Sequence, residues 1–297
     1  MVDDKLLDIR NLCVEYRTKG RIMNAITDIS FDIEEGEILG VAGESGCGKS
    51  SLGHAIMRLL PREGKISNGE VMFKGKDLLK YSDEKMDRQI RGKQISMIFQ
   101  DPQNCLNPVF SIETQMTDIM RFHLHHEKNI KKNRHSLKNK AIKLLKETGI
   151  GDPEERISDY PFQFSGGMKQ RVMIAMALTS KTSLLICDEP TTGLDVTIEA
   201  QIIELIKNLT KKYNHSILYI SHNLAVISEI SDRVMIMYTG SVVETADSSS
   251  LFEDPRHPYT RALLSSLPGS NFSKGRLPTI PGHVPPIYML PQGCPFH

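Results

Sequence analysis

Gly43-Glu44-Ser45-Gly46-Cys47-Gly48-Lys49-Ser50 fits the pattern G-x-x-x-x-G-K-[ST] and, more than any other segment, sets the class of fold that the sequence predicts. The apolar run EILGVA precedes this segment, and helical spacing of apolar residues begins at Lys49 and is stopped by Pro61. Glycines let the backbone wrap closely around a polyphosphate, with N–H groups and a helix N-terminus directed at its oxygens. We therefore predict a triphosphate-binding loop in which Lys49 reaches the β and γ phosphates and Ser50 holds Mg²⁺.

A pair of acidic residues ends the apolar run Leu184-Leu185-Ile186-Cys187. Ionised carboxylates resist burial unless they are paired or bound to a metal. Beside a phosphate loop, Asp188 is predicted to complete the Mg²⁺ shell, and Glu189 is the candidate general base on water, since successive strand residues point in different directions. The alternative is a strand that simply exits into solvent.

A second helix start suited to anions lies at Phe164-Ser165-Gly166-Gly167-Met168-Lys169-Gln170. Ser165 is a good N-cap, the two glycines leave backbone N–H groups open, and apolar residues follow at helical spacing. A capped helix without a ligand is the alternative. With a separate phosphate loop in the same chain, this start is expected to serve a nucleotide held by another subunit.

Strands and helices alternate along most of the chain. Before residue 43, short apolar and polar alternations predict a β-rich start, whereas residues 101 to 164 lack a good strand and predict a helical insert. The later elements are strand runs SLLIC, SILYIS and VMIMY, separated by helices near 167–180, 196–213 and 223–230. This order predicts an α/β fold with a parallel sheet covered by helices. Residues 255–297 hold nine of the fifteen prolines and predict an extended tail after a short helix near Tyr259 to Leu267.

Composition excludes several classes of protein. The 297 residues carry 37 Lys and Arg against 36 Asp and Glu, a net charge of +1, which disfavours nucleic acid as a main partner. No apolar run approaches the ~18–20 residues of a membrane span, and the start MVDDKLLDIR is too acidic for a secretory signal. The five cysteines form no C-x-x-C pair, so we expect a soluble intracellular protein with reduced thiols.

Taken in order, these motifs resemble the ATP-binding cassette (ABC) family over nearly the whole chain. Six motifs carry the resemblance: the Walker A loop Gly43–Ser50, a Q-loop glutamine at Gln100, the SGG signature Ser165–Gly167, Walker B at Leu184–Asp188 with Glu189, a D-loop at Asp195, and a switch histidine at His222. The resemblance implies a RecA-like P-loop ATPase core with an antiparallel β subdomain, a helical insert and a proline-rich C-terminal tail. The implied domains are a nucleotide-binding domain over 1–254, with a helical subdomain at about 101–166, and an extension over 255–297.

The family also implies roles for individual residues. Glu189, His222 and Gln100 would be catalytic, with His222 on the γ phosphate and Gln100 on Mg²⁺ or the attacking water. Ser50, Gln100 and Asp188 would hold Mg²⁺. The implied ATP-binding residues are Tyr16, stacked on adenine, then Gly43, Ser45, Gly46, Cys47, Gly48, Lys49, Ser50 and Ser51, with Ser165, Gly166, Gly167 and Asp195 closing the nucleotide of a partner subunit. Taken without the other motifs, each residue has an alternative interpretation. Gln100 would be an ordinary residue at the edge of a strand, His222 a core histidine with its hydrogen bonds satisfied, and Asp195 a helix cap.

A narrower resemblance concerns the cargo. FQDPQNCLNP, YPFQFSGGMKQR, DEPTTGLDVTIEAQI and HPYTRALLSSLP are similar to segments of the ATPase subunits of dipeptide, oligopeptide and nickel importers. This resemblance implies ATP-driven uptake of di- or oligopeptides across the cytoplasmic membrane, with nickel or another small solute as the alternative. The implied partners are a second ATPase subunit, paralogous or identical, two permease subunits and an extracytoplasmic substrate-binding protein, which places the chain at the cytoplasmic face of the membrane as a peripheral subunit.

Two possible metal sites and two alternative functions compete with the importer interpretation. Members of the branch often hold an iron–sulfur cluster in the tail, but past residue 255 this sequence has only Cys294, so a cluster is not supported. The stretch HLHHEKNIKKNRH (123–135) is read as a solvated face rather than a metal site. A DNA-repair or chromosome ATPase would separate Gly43 from Ser165 by a long coiled coil, and a nucleotide-sensing regulatory subunit would not need both Glu189 and His222.

Overall fold

A computed structural model describes residues 5–18, 20–124, 133–266, 285, 291 and 293–296. The chain divides into two compact units, Met1–Tyr81 with Ile217–His297 and Ser82–Ser216. In chain order the described strands are β1 (Lys5–Thr18), β2 (Arg21–Glu34), β3 (Ile38–Ala42), β4 (Gly64–Phe73), β5 (Lys76–Asp77), β6 (Ile95–Ile98), β7 (Leu184–Asp188), β8 (Ser216–Ser221), β9 (Arg233–Tyr238) and β10 (Ser241–Asp247). The described helices are α1 (Lys49–Met57), α2 (Asp83–Gln89), α3 (Pro102–Cys105), α4 (Ile112–Leu124), α5 (Arg134–Glu147), α6 (Pro153–Arg156), α7 (Gly166–Ala177), α8 (Val196–Tyr213), α9 (Leu224–Ile230), α10 (Ser248–Glu253) and α11 (Pro258–Ser265), with short 3₁₀ turns at Leu78–Lys80 and Pro161–Gln163.

In the first unit, the β-rich start forms an antiparallel sheet in the order β2-β1-β4-β5. Leu7 in β1 lies opposite Ile33 in β2 and Phe73 in β4, and all three side chains are buried. Because side chains alternate across a strand, this register gives the sheet one apolar face. The expected antiparallel β subdomain is confirmed, and it gains β4 and β5 from a stretch that the sequence patterns did not assign.

The parallel strands of the same unit position the predicted phosphate loop. β3 runs parallel to β8 and to β9, and β10 adds to β9 in the antiparallel direction. Every residue of β3 is buried, as expected for an apolar run covered on both faces of a parallel sheet. Residues 43–48 connect the carboxyl end of β3 to α1, which ends at Met57, before the stop predicted at Pro61, because Arg58 adopts a left-handed conformation at φ 52°.

The second unit contains the predicted helical insert. β6 and β7 pair in parallel, with Ile95 opposite Leu184. Between these strands the described elements are all helical, α3 to α7 and one 3₁₀ turn, which agrees with the helical insert predicted for residues 101 to 164. The helices predicted near 167–180 and 196–213 correspond to α7 and α8.

Two predicted segments lie largely outside the described residues: the histidine-rich stretch 123–135 and the proline-rich tail beyond α11. The short helix predicted near Tyr259 to Leu267 is present as α11. Among the helices that the structure describes, none combines the length and apolar character that a bilayer-spanning helix needs. All five cysteines carry free thiols, as predicted.

Candidate active site

The glycines of the predicted phosphate loop are required by space as well as by conformation. A Cβ on Gly43 would lie 2.2 Å from the carbonyl oxygen of Met237. Gly48 has a φ of +105°, and its Cβ would lie 2.5 Å from the carbonyl oxygen of Ala25. The loop is therefore pressed against neighbouring backbone at two points, and glycine is the residue that fits both.

Lys49 is the positive charge at the centre of this loop. It is 4% exposed, and its Nζ donates to the carbonyl oxygens of Gly43 at 2.8 Å and Glu44 at 2.9 Å. Burial raises the pKa of the neighbouring Cys47 thiol, so this thiol stays neutral and adds no negative charge beside the ammonium. A buried cation at the N-terminus of α1, with the loop tip at Ser45 exposed, is suited to an anion.

Two residues predicted to bind the nucleotide contact each other beside the loop. The hydroxyls of Tyr16 and Ser51 lie 3.1 Å apart and share a hydrogen bond. The Tyr16 ring packs on Gly64, where a Cβ would come within 2.8 Å of the ring. This contact fixes the position of Tyr16, while its stacking on adenine stays a prediction.

Tyr259, from α11, is a contact of the loop that the sequence reasoning did not assign. Its hydroxyl accepts a hydrogen bond from the backbone N–H of Glu44 at 3.3 Å, and its ring is fully buried, with centroid distances of 4.5 Å to Tyr238 and 5.3 Å to Phe296. Burial raises the pKa of Tyr259, which keeps the phenol neutral. Spacing carries no signal for this contact, because 215 positions separate the partners.

In the second unit, Glu189 is held by two donors. Its Oε2 accepts from Gln100 Nε2 and from the Thr192 hydroxyl, each at 3.0 Å. Glu189 is 9% exposed and has a φ of 46°, a left-handed conformation that non-glycine residues rarely adopt and that clusters at functional sites. The structure thus brings together Gln100 and Glu189, both predicted to be catalytic. Thr192 was not predicted from the sequence. The feature that could have indicated it is a hydroxyl residue three positions after the candidate base.

Two donors hold the Glu189 carboxylate in a defined position, and a defined position is what a general base needs. Asp188, just before it at the end of β7, is 2% exposed. The Mg²⁺ donors predicted from the sequence are the Ser50 hydroxyl, the Asp188 carboxylate and the Gln100 side-chain oxygen. An all-oxygen set of this kind fits a hard cation that keeps several waters. Clusters of three or more His, Cys, Asp or Glu side chains suited to a metal are absent from the described residues.

The signature segment begins α7 and packs against the start of α8. Ser165 caps α7, since its hydroxyl accepts from the Met168 N–H at 3.4 Å. A Cβ on Gly167 would lie 2.7 Å from Ile198 Cγ2, so the two helix starts approach closely there. Asp195 caps α8 by accepting from the Ile198 N–H at 3.0 Å. The helix-cap alternative for Asp195 is therefore observed, and its role toward a partner's nucleotide stays a prediction.

His222 follows β8 directly and is exposed. The alternative reading of a satisfied core histidine is therefore wrong, since the ring is not in the core. The predicted site residues are distributed over both units. The first contains Tyr16, the loop with Ser51, and His222; the second contains Gln100, Asp188, Glu189, the signature segment and Asp195.

Two family models match the chain. The model of the ABC transporter family covers residues 26–192. This chain belongs to that family. Residues 243–297 match a second model, the C-terminal region of oligopeptide/dipeptide transporters.

Curated relatives and solved structures agree with this assignment. The oligopeptide transport ATP-binding protein OppD of Bacillus subtilis is 45% identical over 98% of this chain and 80% of its own length. The dipeptide transport ATP-binding protein DppD of Haemophilus influenzae is 45% identical over 97% of this chain and 86% of its own length. The dimeric ATP-binding cassette MJ0796, solved with ADP and Pi, shares the fold with a TM-score of 0.71 at 24% identity, over 82% of this chain and 98% of that one. CbiO1 of Clostridium perfringens, part of the ABC transporter complex cbiONQ, has a TM-score of 0.69 at 27% identity, over 85% of this chain and 92% of that one.

Proposed function

We propose that this chain is the ATP-hydrolysing subunit of an ABC importer that powers uptake of di- or oligopeptides across the cytoplasmic membrane. ATP hydrolysis is supported above all by the Glu189 carboxylate, which accepts hydrogen bonds from Gln100 and Thr192 and directly follows the buried Asp188. The peptide cargo is supported by the match of residues 243–297 and by the names of the curated relatives.

In this proposal the residues of the site divide the work on MgATP. Lys49 and the loop N–H groups bind the β and γ phosphates, and His222 contacts the γ phosphate. Ser50, Asp188 and Gln100 supply oxygen ligands to Mg²⁺, which neutralises charge on the phosphates when bound. Glu189 accepts the proton of the attacking water.

A second ATPase subunit, identical or paralogous, completes each site. Ser165 and Gly166 are exposed at the start of α7, where helix N–H groups and the positive end of the helix dipole meet solvent. This start is suited to close on the phosphates bound by the partner's loop. Asp195 lies near this start, since Ile198, whose N–H it caps, packs on Gly167.

The helical segment carries an exposed apolar surface suited to a permease. Val109 and Phe162 are each 71% exposed and Phe110 is 49% exposed. A backbone hydrogen bond of 3.0 Å from Ile112 to Asp159 places the two chain segments that carry them side by side. Exposed apolar residues grouped in this way mark protein contacts. We assign this surface to one of two permease subunits. The two permeases hold the ATPases at the cytoplasmic face of the membrane and receive cargo from an extracytoplasmic binding protein.

The variant Glu189→Gln tests the hydrolytic role. Its amide oxygen can still accept from Gln100 and Thr192, so the local geometry is kept, but the amide cannot take a proton from water. We expect phosphate release by the complete transporter to fall by about 10²–10⁴-fold with ATP binding retained. The matched control is Glu204→Gln, exposed on α8, which should keep full activity. Full turnover by Glu189→Gln would remove Glu189 from the base role, and a wild-type complex that binds ATP without releasing phosphate would instead be a nucleotide sensor.

Uptake of a labelled tripeptide by the reconstituted system tests the cargo. Transport of Ni²⁺ without transport of peptide would assign the chain to a nickel importer of the same branch.

A further inference from the structure

Residues 293–296, here called the docking segment, pack on an aromatic cluster of the first unit. The Phe296 ring lies 5.6 Å from the ring of Tyr238, 5.3 Å from that of Tyr259 and 6.2 Å from that of His257, between centroids. It meets Tyr238 at an interplanar angle of 90° and Tyr259 at 63°. Edge-to-face pairs at these distances are the arrangement that aromatic rings prefer, so Phe296 is held in a defined position.

A second contact holds the same segment at Cys294. The Nδ1 of His257 accepts the backbone N–H of Tyr259 at 3.1 Å, so the neutral imidazole carries its proton on Nε2. This Nε2 lies 3.8 Å from the Cys294 sulfur, which accepts a weak hydrogen bond from it. The docking segment is therefore attached to the start of α11 at two separate points, by a ring and by a sulfur.

The rings under the docking segment are joined to the phosphate loop from two sides. The Tyr259 hydroxyl accepts from the backbone N–H of Glu44 at 3.3 Å. Tyr238 ends β9, and in the turn that follows, the backbone N–H of Gly240 donates to the carbonyl oxygen of Cys47 at 2.9 Å. A side chain that covers both tyrosines therefore restrains the supports of the loop on both sides.

The electrostatics of Tyr238 agree with this arrangement. Burial raises the pKa of the Tyr238 phenol, and the neighbouring Glu44 and Cys294 raise it further. The same phenol is thus close to a residue of the phosphate loop and to a residue of the docking segment. The two segments meet at one cluster of rings, although they are far apart in the sequence.

We propose that Phe296 is a positioning residue for nucleotide binding. Its ring holds the Tyr259 hydroxyl on the Glu44 N–H, and this bond keeps the phosphate loop in the conformation that binds nucleotide. The inference rests on the proposed binding of nucleotide at this loop and adds a means of regulating it. Because coupling between two sites is reciprocal, nucleotide binding strengthens the docking of residues 293–296 by the same factor.

The test is calorimetric titration of the full chain with MgADP, which is not hydrolysed. We expect Phe296→Ala to raise the Kd for MgADP by about 2- to 10-fold, since one aromatic pair changes an equilibrium constant by about that factor. Phe296→Leu keeps an apolar side chain without the ring and should raise the Kd by a smaller factor. The matched control is Pro291→Ala, which is exposed and lies outside the docking segment, and which should leave the Kd unchanged.

A double-mutant cycle separates positioning from ordinary packing. In Tyr259→Phe the hydroxyl link to Glu44 is already missing, so adding Phe296→Ala should raise the Kd by a smaller factor than it does in the wild type. In the assembled transporter, Phe296→Ala should raise KM for ATP and change kcat little. A purely structural ring would lower the melting temperature and leave the Kd of the folded chain unchanged.

The proposal is overturned by an unchanged Kd in both Phe296 variants, by an equal rise in Pro291→Ala, or by an equal effect of Phe296→Ala with and without the Tyr259 hydroxyl. The readout is binding of MgADP by the chain itself. A loss of ATP hydrolysis or of peptide uptake in the wild-type transporter would therefore count against the proposed function and leave these binding results as they are.

Discussion

Removal of a single hydroxyl in Tyr259→Phe tests whether α11 supports the phosphate loop. The ring remains in place against Tyr238 and Phe296, so the aromatic contacts are kept and one hydrogen bond, to the Glu44 N–H, is lost. A hydrogen bond of this kind contributes about 0.5–1.5 kcal/mol net. We therefore expect the free energy of unfolding to fall by about 1 kcal/mol and the melting temperature to fall by about 2–4 °C.

The same bond bears on nucleotide affinity. Glu44 is the second residue of the loop, and without its partner the empty loop samples more conformations, which nucleotide binding must then restrict. A cost of about 1 kcal/mol corresponds to about a fivefold rise in the Kd for ATP. The chemical step involves Glu189 in the other unit, so kcat should change little while KM for ATP rises.

Nucleotide titration and ATPase kinetics on Tyr259→Phe measure these effects. Tyr238→Phe is the matched control, because it removes a hydroxyl from the same ring cluster, and none of the described hydrogen bonds joins that hydroxyl to the loop. An unchanged Kd for ATP in Tyr259→Phe, or an equal loss in Tyr238→Phe, would refute the supporting role of Tyr259.

Three further outcomes are expected. Gly43→Ala should destabilise the fold by about 1–3 kcal/mol and abolish nucleotide binding, because its Cβ would lie 2.2 Å from the Met237 carbonyl oxygen; melting curves with and without ATP check both effects. Ser165→Ala should cost about 1 kcal/mol in chemical unfolding, because α7 loses its cap, and should lower ATPase activity in the assembled transporter. The Lys138 ammonium, 2.8 Å from Glu113, lowers the pKa of that carboxyl, so the stabilisation is full above the unfolded-state pKa of about 4.3 and is lost as pH falls through the lower folded value. Lys138→Met should therefore reduce the melting temperature more at pH 7 than at pH 3.

The phosphate loop was predictable because its requirements are local. Gly43 and Gly48 adopt positive φ values of +153° and +105°, and Lys49 is fixed by the carbonyl oxygens of its own loop. The close approach of Met237 and Ala25 adds a requirement that the motif itself does not show. β7, α7 and α8 were predictable for the same reason, since apolar periodicity and capping residues lie within each element.

Contacts between distant segments were not predictable in this way. The bond from Glu44 to Tyr259 depends on how α11 packs on the end of β9, which neither local sequence specifies. β4 was not assigned for a different reason: only Val71 and Phe73 among its ten residues are buried, so its apolar alternation is weak.

The two signature glycines are required for different reasons, and the difference bears on the proposed partner. Gly167 has a role inside this chain, because a Cβ there would lie 2.7 Å from Ile198 and would separate the starts of α7 and α8. Gly166 has no such role, since its Cβ would meet Leu194 at an ordinary 3.7 Å and the residue is exposed. The packing of this chain therefore accounts for Gly167 and leaves Gly166 unexplained. A glycine that the fold does not need, at an exposed helix N-terminus, suits the close approach of a ligand from outside, which supports closure on a nucleotide bound by a second ATPase subunit.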